Sequence, residues 1–307
     1  METRRIGSLE VSLVGLGCNN FGWRIDRDAT ARVVDAAVAA GINFFDTADI
    51  YGGGASEEFL GRALGERRRD VVVATKFGMK MDDRRRGASP AYVRQAAEDS
   101  LRRLGTDYID LYWLHQPDPN TPIADTLGAL DELVKAGKVR EIGCSNFSAE
   151  QLREATAAAR PGAARFVSVQ NHYSLYHREP EQEVLPECAR QGLAFIPYFP
   201  LENGLLTGKY RPGQPVPQGS RADAGFGPKV FTPENLAWAD SLRKAAEGQG
   251  HTLLELAFSW LAAQPQVASV IAGATTLEQV RANAAAVAWR LRPAERDRFA
   301  PPSTSAR

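Results

Sequence analysis

The sequence predicts an α/β fold, a single (β/α)8 TIM barrel with a small N-terminal β-hairpin and a long loop after strand 7. Three observations carry that prediction. Short β-branched apolar runs alternate with segments of helical spacing eight times, which is the pattern of parallel strands joined by crossover helices. Polar residues stand at the ends of several of those runs, where a barrel gathers its chemistry. One connection, 198–231, is rich in Gly and Pro and breaks the short-loop rule, as functional loops do.

The elements follow in order. Residues 3–12 read as a hairpin turned at Gly7-Ser8. The first barrel strand, 13–16, leads to a helix over 28–40, where Val33, Val34, Ala37 and Val38 repeat at helical spacing. A strand at 42–45 precedes a helix at 57–64, and a strand at 71–75 precedes a helix at 90–104. Ser89 suits the N-cap of that helix, and Pro90 has a fixed φ suited to its first turn. Strands at 108–114 and 139–144 are followed by helices at 123–136 and 149–159. Strands at 166–170, 193–197 and 267–272 complete eight, with helices at 181–191, 253–263 and 277–288. Residues 1–307 thus read as one domain, a length that buries about 75% of its unfolded surface without staples.

Composition narrows the function classes. The 37 basic and 37 acidic side chains cancel, so no overall field draws nucleic acid or an acidic membrane. Cys18, Cys144 and Cys188 cannot all pair and lack the spacing of a zinc or redox motif. There is no signal peptide and no 18-residue apolar run, so the expectation is a soluble, cytoplasmic protein with a small-molecule partner. Its oligomeric state is left open.

Four polar residues fall at strand ends or just beyond. Asp46 ends the second strand, Lys76 the third and His115 the fourth, and Tyr51 lies in the loop after Asp46. Singly, each has a bland reading as a half-buried or solvated residue; three neighbouring strand ends together do not. A buried Lys beside an Asp stays charged, and its ammonium is expected to lower the pKa of a nearby Tyr from about 10. Such a tyrosine exchanges a proton with a carbonyl or alcohol oxygen, and a neutral His orients that oxygen.

Six motifs in order carry a resemblance. They are Asp46-Thr47-Ala48-Asp49-Ile50-Tyr51-Gly52, Thr75-Lys76-Phe77-Gly78, Asp110-Leu111-Tyr112-Trp113-Leu114-His115 and Gly143-Cys144-Ser145-Asn146-Phe147. Gln170-Asn171-His172-Tyr173-Ser174-Leu175 and Gly204-Leu205-Leu206-Thr207-Gly208-Lys209-Tyr210 follow. Nearly end to end, the chain resembles the aldo-keto reductase superfamily. The resemblance implies reduction of aldehydes or ketones with NADPH, bound without a Rossmann fold. Tyr51 is then the general acid, Lys76 and Asp46 its tuning pair, and His115 the orienter of substrate oxygen.

The same resemblance places Ser145, Asn146 and Gln170 at the nicotinamide carboxamide and Tyr198 under its ring. It places Phe199, Pro200, Leu201, Gly204, Leu205 and Lys209 in the pyrophosphate loop, with Arg221 further along. Gly273, Thr275, Thr276, Gln279 and Asn283 match the adenosine end, and Gly17 and Cys18 touch the cofactor by backbone. Phe199 replaces a common Ser, and Glu202 sets a negative charge near the phosphates without explanation. Gly273, Gln279 and Ala282 depart from the Lys, Arg and Glu of some branches.

Phe21, Trp23 and Trp113 are candidate substrate walls, although core packing explains Trp113 equally well. His172 lies near the mouth; His177, His251 and the runs Arg67-Arg68-Arg69 and Arg84-Arg85-Arg86 read as surface. Two other classes compete with the reductase. One is a cofactor-binding regulatory or sensor barrel with negligible turnover. The other is a metal-dependent hydrolase using Asp46, Asp49, His115 and His172, disfavoured because no His-x-His spacing occurs; no metal site is expected.

Overall fold

A computed structural model describes residues 1–299 of the chain. Strands β1 (Thr3–Ile6) and β2 (Leu9–Ser12) form an antiparallel hairpin, turned at Gly7 with φ 56°. Eight parallel strands then follow in spatial order as they follow in sequence. They are β3 (Val14–Gly17), β4 (Phe44–Asp46), β5 (Val72–Phe77), β6 (Ile109–Leu114), β7 (Val139–Ser145), β8 (Phe166–His172), β9 (Ala194–Tyr198) and β10 (Val270–Gly273). The sheet joins β10 back to β3. It closes where Phe195 N donates to Gln266 O (2.7 Å) and Ala268 N donates to Phe195 O (3.0 Å). The eight-stranded barrel is therefore present.

Alternation along the strands sorts side chains to two cores. Phe44, Val72, Ala74, Leu111, Trp113 and Ile196 fill the barrel interior together with Ile6, Leu9 and Val11 of the hairpin. The hairpin is held at the N-terminal mouth: Ser12 N donates to Asn43 Oδ1 (2.6 Å) just before β4, and Ser8 N donates to Glu141 Oε1 (2.7 Å) in β7. The hairpin therefore closes that end of the barrel. The second core lies between strands and helices, where Leu60, Val93, Leu101, Leu130 and Leu152 pack outward-facing strand residues such as Val73 and Tyr112.

The helices are α1 (Arg27–Ala39), α2 (Ala55–Leu64), α3 (Pro90–Leu104), α4 (Ile123–Lys135), α5 (Ala149–Ala158), α6 (Val184–Gln191), α7 (Pro233–Glu247), α8 (Leu253–Ala262), α9 (Leu277–Ala285) and the short α10 (Pro293–Arg296). Ser89 caps α3 as expected, accepting from Tyr92 N. Full capping boxes open α5 (Ser148, Gln151) and α8 (Thr252, Glu255). Helix α7 was not foreseen. It buries only Ala239, Leu242 and Ala246, too thin a stripe to stand out, yet Thr232-Pro233 repeats the Ser89-Pro90 start signal.

One reading of the surface needs correction. Arg68 is buried, pairs with the buried Asp110 at 2.7 Å and lies over the Tyr108 ring at 4.3 Å. Asp110 also takes Arg140 at 2.8 Å and the Val73 amide at 2.9 Å, which satisfies an otherwise costly buried carboxylate.

Candidate active site

Period-two alternation explains how three strand ends converge. Phe44 and Asp46 face inward on β4, Val72, Ala74 and Lys76 on β5, and Leu111 and Trp113 on β6, with His115 one step beyond. Apolar residues fill the lower layers, and the polar ones form the top layer. Tyr51 enters from the turn after β4, which Gly52 and Gly53 make possible with φ of 59° and 66°.

The four side chains meet. Lys76 Nζ, fully buried, donates to Asp46 Oδ2 at 2.5 Å, to Thr47 O at 2.8 Å and to the Tyr51 hydroxyl at 3.4 Å. Asp46 Oδ1 accepts from Gln170 Nε2 at 3.0 Å, so both carboxylate oxygens are used. The rings of Tyr51 and His115 stand edge to face, 5.8 Å apart.

Desolvation pulls the Lys76 ammonium down, but Asp46 and Tyr51 more than reverse it, leaving its pKa above the ordinary lysine value. His115 is pushed down to about 3 by burial and by Lys76, so its ring is neutral at working pH. Among the described residues its buried Nδ1 has no hydrogen-bond partner. Tyr51 departs from expectation. Burial pushes its hydroxyl up, and the Lys76 ammonium offsets only part of that rise. The site holds a neutral phenol, which can give a proton to a carbonyl oxygen but rarely exists as the phenolate that would take one. Nearby, burial and Glu57 push Asp49 up to about 7.

Tyr51's state carries a pH prediction. If this tyrosine takes a proton from an alcohol it must do so as the phenolate, and kcat/KM for alcohol oxidation should then climb about tenfold per unit between about pH 8 and 10. A plateau reached by about pH 8 would indicate a lowered tyrosine pKa instead.

A cavity of about 530 Å³ opens above these residues. Asp46, Tyr51 and His115 line one end, over which Ser145, Asn146 and Gln170 stand with Tyr198. Asn146 has φ 62°, and its side chain bridges by donating to His115 O (2.9 Å) and accepting from the Tyr198 hydroxyl (2.8 Å). Ser145 Oγ donates to Gln170 O at 2.7 Å.

Gly17 and Cys18 border the cavity, as do Phe199, Pro200, Leu201, Gly204, Lys209 and Arg221 from the long connection. At the far end lie Gly273, Thr275, Gln279 and Asn283. There Gln279 Oε1 is turned back to accept from Thr275 N at 2.8 Å.

Several sequence candidates lie elsewhere. Leu205 is fully buried in the core, and Thr276 spends its hydroxyl capping α9 through Gln279 N. Phe21 and Trp113 are fully buried and do not border the cavity, so neither is a substrate wall here. Trp113 lies under Gly143, where a Cβ would come within 2.6 Å of its ring. Trp23 is exposed and packs edge to face on Phe226 at 5.4 Å. Glu202 turns its carboxylate away from the cavity onto His172 and Ser174.

Asn19, Asn20, Arg24, Met79 and Gln116 border the cavity and were missed, having no strand-end position or motif to mark them. Arg24 guanidinium donates to Gly219 O at 2.9 Å, tying the loop after β3 to the long connection. Asp46 is bonded to Lys76 and His172 to Glu202, and among the described residues no three His, Cys, Asp or Glu side chains form a metal-holding group. No helix among the described residues is long and apolar enough to cross a membrane.

The model of the Aldo/keto reductase family matches residues 13–300. The chain is 37% identical over 291 residues to an uncharacterized oxidoreductase, YqkF, of Bacillus subtilis, covering 92% of this chain and 90% of that one. It is 33% identical to a probable voltage-gated potassium channel subunit beta of Arabidopsis thaliana, over 94% of this chain and 91% of the relative. Among solved structures, the glycerol dehydrogenase AKR11B4 from Gluconobacter oxydans superposes with a TM-score of 0.84 at 33% identity, covering 97% and 93% of the two chains.

Proposed function

The chain belongs to the aldo/keto reductase family, and on that premise we propose that it reduces aldehyde or ketone carbonyls to alcohols with NADPH, Tyr51 being the general acid. The observation that carries this reading is the Lys76 ammonium, buried and bonded to both Asp46 and the Tyr51 hydroxyl. A structural ion pair has no need of a phenol at the end of an open cavity.

The cavity's donor set fits a dinucleotide. Arg24, Lys209 and Arg221 border it, and among the described residues none of them pairs with a carboxylate. Among the described residues Asp46 is the one acid along its lining, and Lys76 neutralises it. Burial and Arg24 pull the Arg221 guanidinium below its usual value, so a bound polyanion would relieve a crowded positive pair. Gly17 and Gly273 stand close enough that a Cβ on Gly17 would lie 3.4 Å from Gly273 N, leaving bare backbone for a flat group to approach.

When bound, the nicotinamide supplies a hydride. The chain's part is to hold and protonate. Tyr198 offers a ring face beside the amides of Asn146 and Gln170, which fix orientation. His115, neutral, has a ring nitrogen to offer the substrate oxygen and adds no second positive charge beside the Lys76 ammonium. Tyr51 gives its proton to that oxygen, and Lys76 stabilises the phenolate left behind. The stoppered base of the barrel keeps bulk water from the pair below.

Mixing the protein with NADPH and simple aldehydes tests the reading through loss of nicotinamide absorbance. Binding without turnover would favour a sensor instead, a reading that the similarity to a channel subunit keeps in view. We expect NADPH to bind about tenfold more tightly than NADH, equivalent to ~1.4 kcal/mol, and the gap to narrow as salt rises. Fluorescence titration with both cofactors decides this; tighter NADH at low salt would overturn the preference and leave the Tyr51 argument standing.

A further inference from the structure

Glu202 stands four residues past Tyr198 on the loop that borders the cavity, where a negative charge should oppose an anionic ligand. Its side chain is 3% exposed, and its backbone takes φ 45°, a left-handed conformation unfavourable for Glu. Phe199 (φ 51°) and Asn203 (φ 55°) in the same turn share that conformation. Strain concentrated in one turn persists only where surrounding contacts over-determine it.

Those contacts are specific. Glu202 Oε2 accepts from Ser174 Oγ at 2.9 Å and from His172 Nε2 at 2.8 Å. Ser174 Oγ also accepts from the amides of Tyr176 (3.2 Å) and His177 (2.9 Å), so its proton is committed to Glu202. The His172 ring is layered between His177, 3.9 Å away and 3° from parallel, and Tyr198, 5.4 Å away at 16°. Phe199 meets both His172 and Tyr198 edge-on, at 5.6 and 5.3 Å. Tyr198 is thus held at its tip by Asn146 and on one ring face by His172, whose own position Glu202 sets.

We propose that Glu202 is a positioning residue that acts through His172 to hold the Tyr198 ring as a fixed platform for the nicotinamide. The proposal rests on the nicotinamide reading above and deepens it. Its alternative is that Glu202 only stitches the loop, in which case its loss would harm the phosphate end of the cavity as much as the nicotinamide end.

The test uses the full chain with Glu202→Ala, Glu202→Gln and His172→Leu. Thermal midpoints are measured, along with affinities for NADPH and for adenosine 2′,5′-bisphosphate, which carries phosphates and no nicotinamide. Glu202→Ala and His172→Leu should each weaken NADPH binding about tenfold and leave the bisphosphate within about twofold. Glu202→Gln, which keeps an acceptor oxygen, should restore most of the affinity. The double variant should lose about tenfold, not a hundredfold, because both residues act in one chain of contacts.

Equal loss of both ligands, no loss of either, or multiplicative loss in the double variant would overturn the proposal. If Glu202→Ala does not fold, His172→Leu and Glu202→Gln decide by the same comparison. A wild-type chain that binds the bisphosphate but not NADPH would instead bring down the nicotinamide reading, and this proposal with it.

Discussion

Tyr51→Phe should fold and bind cofactor like the parent and lose about 100- to 10,000-fold in carbonyl reduction. The ring stays, so its edge-on contact with His115 is kept; only the hydroxyl beside Lys76 is removed. Among the described residues no other hydroxyl is bonded to the Lys76 ammonium, whose remaining partners are Asp46 and the Thr47 carbonyl. Steady-state rates under conditions where chemistry is limiting check this. Retention of more than about a third of the parental turnover would show that the acid is misassigned.

Lys76→Met should damage both catalysis and stability. The methionine fills the volume, but the Asp46 carboxylate is left buried with Gln170, among the described residues, as its one remaining side-chain donor. Leaving one partner of a buried pair costs on the order of 3 kcal/mol, enough to lower Tm by several degrees. Turnover should also fall at least about 100-fold, because no cation is left to stabilise the Tyr51 phenolate. Calorimetry on both variants separates the effects: Lys76→Met should melt earlier than Tyr51→Phe. Equal melting temperatures would contradict an energetically coupled Asp46–Lys76 pair.

Much of this was legible in the sequence because it rests on short-range rules. The apolar runs ending in Asp46, Lys76 and His115 mark where three neighbouring strands reach the polar rim, and parallel register then brings them together. Helix α3 begins where the Ser89-Pro90 start signal puts it. What escaped depended on tertiary placement. Arg68 looked like one of three solvated arginines until Asp110 was seen to lie beneath it. Glu202 looked misplaced among phosphates because no local pattern shows that a left-handed backbone turns its carboxylate onto His172. Tyr51's pKa direction was misjudged for a related reason: the ammonium's pull was counted, while the extent of burial opposing it depends on the whole barrel top. Arg24, far from every motif, reaches the cavity only because its loop folds across to Gly219.

The central claim is that hydride passes from NADPH to a carbonyl carbon while Tyr51 supplies the proton. Its most direct test is a reaction with NADPH carrying deuterium at both C4 positions of the nicotinamide, using an aldehyde the protein turns over, followed by mass spectrometry of the alcohol. The account predicts one deuterium at the carbinol carbon of every product molecule, none at the hydroxyl after exchange with water, and loss of product formation in Tyr51→Phe. An unlabelled alcohol, or full turnover by Tyr51→Phe, would contradict it.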